Sequence, residues 1–213
     1  MVEKKLDPRV IKTRTNLRRA LVYLMQNEKI DNISVQKITE TAHITRGTFY
    51  LHYKDKKDFV KKAMDEIINE FFDSVMIDST NIVEGRVIRA MSLNKAFDYI
   101  EKNSDIFMIL LDWAQNNNFY RQLYDRLTKE MESFVKEMGD DLDDLEVPMK
   151  VQIAFTASAI LGLIAQWLNN GLIYTSKYMT KTVSRILNRF EATGMLLPSF
   201  FDDELQIISG FSG

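Results

Sequence analysis

The 213-residue sequence predicts an all-α protein of about nine helices, and three observations carry that expectation. Apolar residues recur at helical spacing along most of the chain, as in the stripes Val10, Leu17, Leu21, Leu24 and Phe59, Ala63, Ile67, Phe71. No stretch shows sustained alternation of period two. Only 8 Gly and 3 Pro supply turn punctuation, too little for a many-stranded fold, which excludes a β-sandwich or barrel.

The spacing predicts helices over 9–27, 35–42, 46–52, 56–77, 85–102, 104–115, 118–138, 149–170 and 177–193. Asn116-Asn117-Asn118 and the acidic run from Gly139 to Asp144 read as connections, and Pro148 fits the first turn of the helix that follows. The run Val151 to Leu168 approaches the roughly 20 residues of a bilayer span. It carries Gln152, Thr156, Ser158 and Gln166, however, and reads as a buried helix, with no membrane expected as a partner.

Composition and charge narrow the function. At 46% hydrophobic and 27% charged, the chain has material for one large core or two small ones. It contains no cysteine, which excludes disulfides, thiolate metal sites and cysteine nucleophiles, and suits a reducing compartment. The charged opening Met1 to Asp7 has no apolar segment behind it, so neither a signal nor a transit peptide is read, and a cytoplasmic location is expected. Residues 1–62 hold 15 Lys/Arg against 7 Asp/Glu, while the remainder holds 13 against 23. A basic head on an acidic body suggests that the head meets a polyanion.

The most informative segment runs from Ser34 to Tyr53 and reads as two short capped helices around a tight turn. Ser34 is the first N-cap, with Val35, Ile38 and Ala42 on one buried face, and Thr45 is the second. His43 stands where the chain turns sharply, a position that favours positive φ. The second helix presents Arg46, Thr48, Tyr50 and His52, followed by Lys54, Lys56 and Lys57. Guanidinium forks onto guanine O6 and N7, while hydroxyl, imidazole and ammonium groups suit phosphate oxygens. Gly47, without a side chain, would let the helix backbone approach a duplex closely. Each of these residues taken singly also fits a solvated surface.

From Lys12 to about Phe59 the chain resembles the DNA-binding domain of the tetracycline-repressor (TetR) family. The match runs through Leu17, Ala20 and Leu21, then Ile33-Ser34-Val35-Gln36-Lys37-Ile38, then Thr45-Arg46-Gly47-Thr48-Phe49-Tyr50-Leu51-His52-Tyr53-Lys54-Asp55-Lys56. Departures are Thr41 and His43, where the family more often has small residues and Gly, and Tyr53, where Phe is common. The resemblance implies a three-helix helix-turn-helix domain over 1–58 and a helical dimerisation and effector domain over 59–213. It implies that the helix from Arg46 lies in the major groove, with Phe49 and Tyr53 packed inward. Arg46, Thr48 and Gln36 are then the expected base readers, and Ser34, Lys37, Thr45, Gly47, Tyr50, His52 and Lys56 the expected backbone contacts.

The body carries thinner signals. Phe155 to Gly171 is similar to the penultimate helix of a subset related to dihydroxyacetone-kinase regulators. Ala154, Ser158, Gly162 and Ala165 place four small residues on one helix face, which permits close helix approach. With Val183, Ile186, Leu187 and Phe190 of the next helix they could build a four-helix dimer interface, or equally serve an ordinary core. Among the crowded aromatics, Phe107, Trp113, Tyr120 and Trp167 are the candidate lining of an effector pocket, against the plainer reading of core packing.

No enzyme is expected. The two histidines, His43 and His52, both fall in the head with no partners at metal-ligand spacing, and the acidic run lacks the ordered spacing of a calcium loop. No phosphate-cradling Gly-rich loop and no cofactor motif is found. The expected function is a one-component transcriptional regulator, a repressor, that binds a palindromic double-stranded DNA operator as a homodimer under a small-molecule or protein effector. The alternatives are an activator of the same family controlled by a protein coregulator, and a helical interaction module whose basic head binds an acidic protein or membrane surface.

Overall fold

A computed structural model describes residues 7–83, 86–111, 117–139, 145–191, 195 and 197–202. Nine α-helices lie among the described residues. The head is α1 (Pro8–Met25), α2 (Val35–Thr41) and α3 (Arg46–His52), with a 3-10 turn at Ile30–Asn32. Pro8 opens α1 with its φ preset, and the Asp7 carboxylate accepts from the Arg9 amide at 2.8 Å. Leu17, Ala20 and Leu21 of α1, Ile38 of α2 and Phe49 of α3 are buried in the same core.

The helix α4 (Lys56–Val75) runs unbroken from head to body, capped by the Asp55 carboxylate on the Asp58 amide at 2.8 Å. Its apolar stripe Phe59, Ala63, Ile67 and Phe71 is buried throughout. The body continues with α5 (Leu93–Lys102), α6 (Ser104–Leu110), α7 (Asn117–Met138), α8 (Met149–Asn169) and α9 (Ser176–Glu191). Head and body share one continuous buried core. Although α8 is long and apolar enough to cross a bilayer, half of its apolar window is buried inside the protein.

The structure corrects the expected helix over 85–102. Met76–Val83 (β1) and Arg86–Ser92 (β2) form an antiparallel hairpin, and helix begins only at Leu93, where the Ser92 hydroxyl accepts from the Lys95 amide at 3.3 Å. Phe201–Asp202 (β3) adds in parallel to the far end of β2. The period-two signal lies in β2 itself, with Val87 and Arg89 exposed and Ile88 and Ala90 buried. It is too short to stand out, because Val87, Ala90 and Met91 also fall at helical spacing. The expected helix over 104–115 is described only to Leu110. The Asp140–Asp144 run and Trp113 lie outside the described residues.

Candidate nucleic-acid interface

The geometry of the head follows from its caps. The Ser34 hydroxyl accepts from the Lys37 amide at 3.2 Å, and the Thr45 hydroxyl from the Thr48 amide at 3.1 Å, each satisfying an otherwise orphaned donor of a two-turn helix. Between them α2 closes with Ile44 N donating to the Thr39 carbonyl at 3.0 Å, and His43 takes φ of 55°. That left-handed residue reverses the chain within a few positions and fixes α3 across α2. Phe49, Tyr53 and Phe59 then lock α3 onto α4, with ring centroids 4.8–5.5 Å apart.

With Phe49 and Tyr53 facing inward, the opposite side of α3 is left to solvent. Arg46, Gly47, Tyr50 and Leu51 are exposed, and Thr48 and His52 are half-buried. The guanidinium of Arg46 donates from Nη2 to Gln36 Oε1 at 2.5 Å, and Gln36 Nε2 donates to Glu40 Oε1 at 2.8 Å. All three expected base readers therefore share the exposed α2–α3 surface, and two of them are directly bonded. A Cβ at Gly47 would meet only Thr45 Oγ1, at 3.7 Å, so nothing among the described residues requires glycine there.

The expected backbone contacts divide. Ser34 and Thr45 stand at the exposed helix N-termini with their hydroxyls engaged as caps. Lys37 pairs with Glu28 at 2.8 Å. Lys56 turns its ammonium toward the 3-10 turn, donating to the Ile30 carbonyl at 3.1 Å and the Asp31 carbonyl at 3.0 Å. Its position is thus set by the fold, with one of its three N–H donors left over. Sequence reasoning missed Glu40, Glu28 and Leu51. The i, i+4 spacing of Gln36 and Glu40 could have revealed the first, whereas Lys37 meets Glu28 only through the tertiary fold.

Behind this surface an ion-paired cluster ties α1 to α4. Arg14 meets Glu66 at 3.3 Å, and Arg18 meets Glu70 at 2.6 Å. The Tyr53 hydroxyl is buried with no hydrogen-bond partner among the described residues. Burial, reinforced by Glu66, pushes its pKa up to about 12. Nearby, the Asp58 carboxyl is held below the usual range by the Lys54 amide, which donates to it at 3.0 Å, and by Lys62.

In the body, the described candidate pocket residues Phe107, Trp167 and Tyr120 fall in separate packing environments. Phe107 is buried against Phe71, Tyr99 and Phe119. Trp167 packs edge-on to Phe97, and its indole N–H donates to the Tyr174 carbonyl at 2.8 Å. Tyr120 is half-buried, and burial raises its pKa. Between α4, α5, α7 and α8 lies a wholly apolar cavity of about 20 Å³, lined by Phe71, Phe97 and Ile164 among others. That is room for about one water molecule.

Two capped helices around a left-handed turn, with the exposed face of the second mounted on a helical body, define a helix-turn-helix unit. Residues 89–189 match the family model TetR_C_8, described as "Transcriptional regulator C-terminal region". Over that stretch the chain is similar to the C-terminal region of TetR-type transcriptional regulators. It is 22% identical over 191 residues to the uncharacterized HTH-type transcriptional regulator YxbF of Bacillus subtilis (strain 168). The match covers 87% of this chain and 47% of that one, so the chain spans about half the length of that relative. Among solved structures, the fold is similar to the dihydroxyacetone kinase operon activator DhaS, with a TM-score of 0.56 and 19% identity over 86% of this chain and 96% of that one. A TetR transcriptional regulator from Streptococcus agalactiae 2603V gives the same score and identity over 82% and 92%.

Proposed function

We propose that the chain is a one-component repressor that binds a palindromic DNA operator as a homodimer and releases it in response to an effector, in the cytoplasm. One observation carries the DNA reading: the exposed surface on which Arg46, Thr48 and Gln36 converge, framed by Ser34, Lys37, Thr45, Gly47, Tyr50, His52 and Lys56. In this reading α3 lies in the major groove. Arg46 presents a fork to guanine once it parts from Gln36, and Gln36 and Thr48 read neighbouring base edges. The hydroxyls, imidazole and ammonium groups fix the register on phosphates.

The dimer reading rests on α8 and α9. Val151 and Phe155 of α8 and Ile186 of α9 are each about half exposed, beside the exposed small residues Ala154, Ser158 and Gly162. An apolar, small-residue face of this kind suits a four-helix interface across a two-fold axis. Two recognition helices related by that axis would then meet successive major grooves about 34 Å apart. For the effector, Phe107, Trp113, Tyr120 and Trp167 remain the candidate lining within the body. The likeness to DhaS, an operon activator by its name, supports activation as the second reading.

The test is selection from random duplex DNA on the purified chain. The reading expects a two-fold symmetric site; a pool without sequence preference would sink it.

A further inference from the structure

Where the head meets the body, α1, α4, α5 and α6 leave a cavity of about 170 Å³. Its apolar surface comes from Ile67 of α4 and from Ile106 and Phe107 of α6. Its polar wall includes Arg18 and Arg19 of α1, facing Glu70 of α4. Arg18 is already committed, with Nη2 at 2.6 Å from Glu70 and Nη1 at 3.6 Å from Glu66. Arg19 is exposed and has no carboxylate partner among the described residues. The wall therefore keeps one uncompensated positive charge next to an apolar surface. Tyr99 also lines the cavity, with a phenol hydroxyl that can donate, and burial, then Glu70, raises its pKa.

We propose that this junction cavity is a binding site for a small organic carboxylate, the carboxylate on Arg19 and the Tyr99 hydroxyl and the apolar body on Ile106 and Phe107. The charge favours a monoanion over a phosphate dianion, since among the described lining residues only the cation of Arg19 lacks a carboxylate partner. The size favours a ligand smaller than the drug-sized molecules that fill cavities of roughly 300–1,000 Å³. An occupant would touch α1 of the head and α5 and α6 of the body together, and α4 forms the remaining wall. Its occupancy would therefore favour one head–body arrangement over another, and so shift operator affinity. That consequence rests on the DNA-binding reading above, whereas the binding itself does not.

The experiment is calorimetric titration of the full chain with benzoate and hexanoate, against benzyl alcohol and hexan-1-ol. It is repeated on Arg19→Met and Arg19→Lys, exposed substitutions that leave the core intact. The expected result is saturable one-to-one binding of a carboxylate and not of its alcohol. Arg19→Met should weaken it on the order of tenfold or more, with Arg19→Lys recovering part of the loss. Absence of saturable binding by either acid, equal binding of acid and alcohol, or an Arg19→Met variant that binds like the wild type would overturn the site. A parallel operator titration with saturating carboxylate tests the coupling, and unchanged operator affinity there overturns the coupling while leaving the site. Failure to bind any operator defeats the DNA-binding reading and the coupling with it, and the calorimetric result stands by itself.

Discussion

Arg46 of α3 donates to Gln36 of α2 at 2.5 Å, and Gln36 in turn holds Glu40 at 2.8 Å, so the residues expected to read bases are ordered against each other before any duplex arrives. To fork onto a guanine, the guanidinium must exchange Gln36 for O6 and N7. Arg46→Ala should cost roughly 1–3 kcal/mol on the selected site and flatten base preference at one position. A double-mutant cycle with Gln36→Ala should show coupling, because the two side chains share a bond. Equal losses on selected and random DNA would argue against direct readout by Arg46.

Lys56 has two tasks, and two assays separate them. Replacing it with alanine should weaken all duplexes alike and lower the salt slope of binding by about one. The same change frees the carbonyls of Ile30 and Asp31, which the ammonium caps at 3.1 and 3.0 Å, so the melting temperature should also fall. A lower melting temperature with an unaltered salt slope would make Lys56 purely structural.

Gly47 offers the reverse separation. Because an added methyl group meets only Thr45 Oγ1, at 3.7 Å, Gly47→Ala should leave stability unchanged or raise it by up to about 1 kcal/mol. The methyl group would stand between α3 and the duplex, so operator affinity should drop in a titration. Undiminished affinity would mean that the backbone of α3 keeps its distance from DNA.

Much of the head was legible because its signals are local. Ser34 and Thr45 cap as their positions predict, and His43 adopts positive φ at 55° despite not being glycine. The rest depends on contacts between segments distant in sequence. Nothing local in Lys37 announces Glu28, and nothing in Lys56 announces the carbonyls 25 and 26 residues earlier. The hairpin escaped because Val87, Ala90 and Met91 satisfy helical spacing, while pairing with Met76 and Ile77 decides for strand. The junction cavity was illegible for the same reason, since its lining is drawn from four helices.

Tyr53 gives the head a pH signature. Its folded pKa of about 12 lies above the ordinary value of 10.0, so the folded state keeps its proton where the unfolded chain loses it. The stabilisation is complete below about pH 10 and is lost as pH rises toward 12. Tyr53→Phe removes a buried hydroxyl without a hydrogen-bond partner among the described residues, and should preserve or raise stability at neutral pH and flatten the alkaline decline. Denaturant titrations across this pH range check it, and a marked loss at neutral pH would show that the hydroxyl is satisfied.

Ser158 lies on the exposed small-residue face of α8, away from the core. Ser158→Arg should leave the helical content of the chain intact while shifting sedimentation from dimer to monomer, because an unpaired charge is costly in a close helix interface. A variant that remains dimeric would place the two-fold interface elsewhere.

The central claim is that α3 reads sequence in DNA, and the most direct measurement is the affinity of the wild type and of Arg46→Ala for the selected duplex and for a shuffled one, at two salt concentrations. The predicted result is a large wild-type preference for the selected site that persists at the higher salt and shrinks when Arg46 is removed. Equal affinity for both duplexes, falling together as salt rises, would contradict it and leave the head a basic surface without sequence readout.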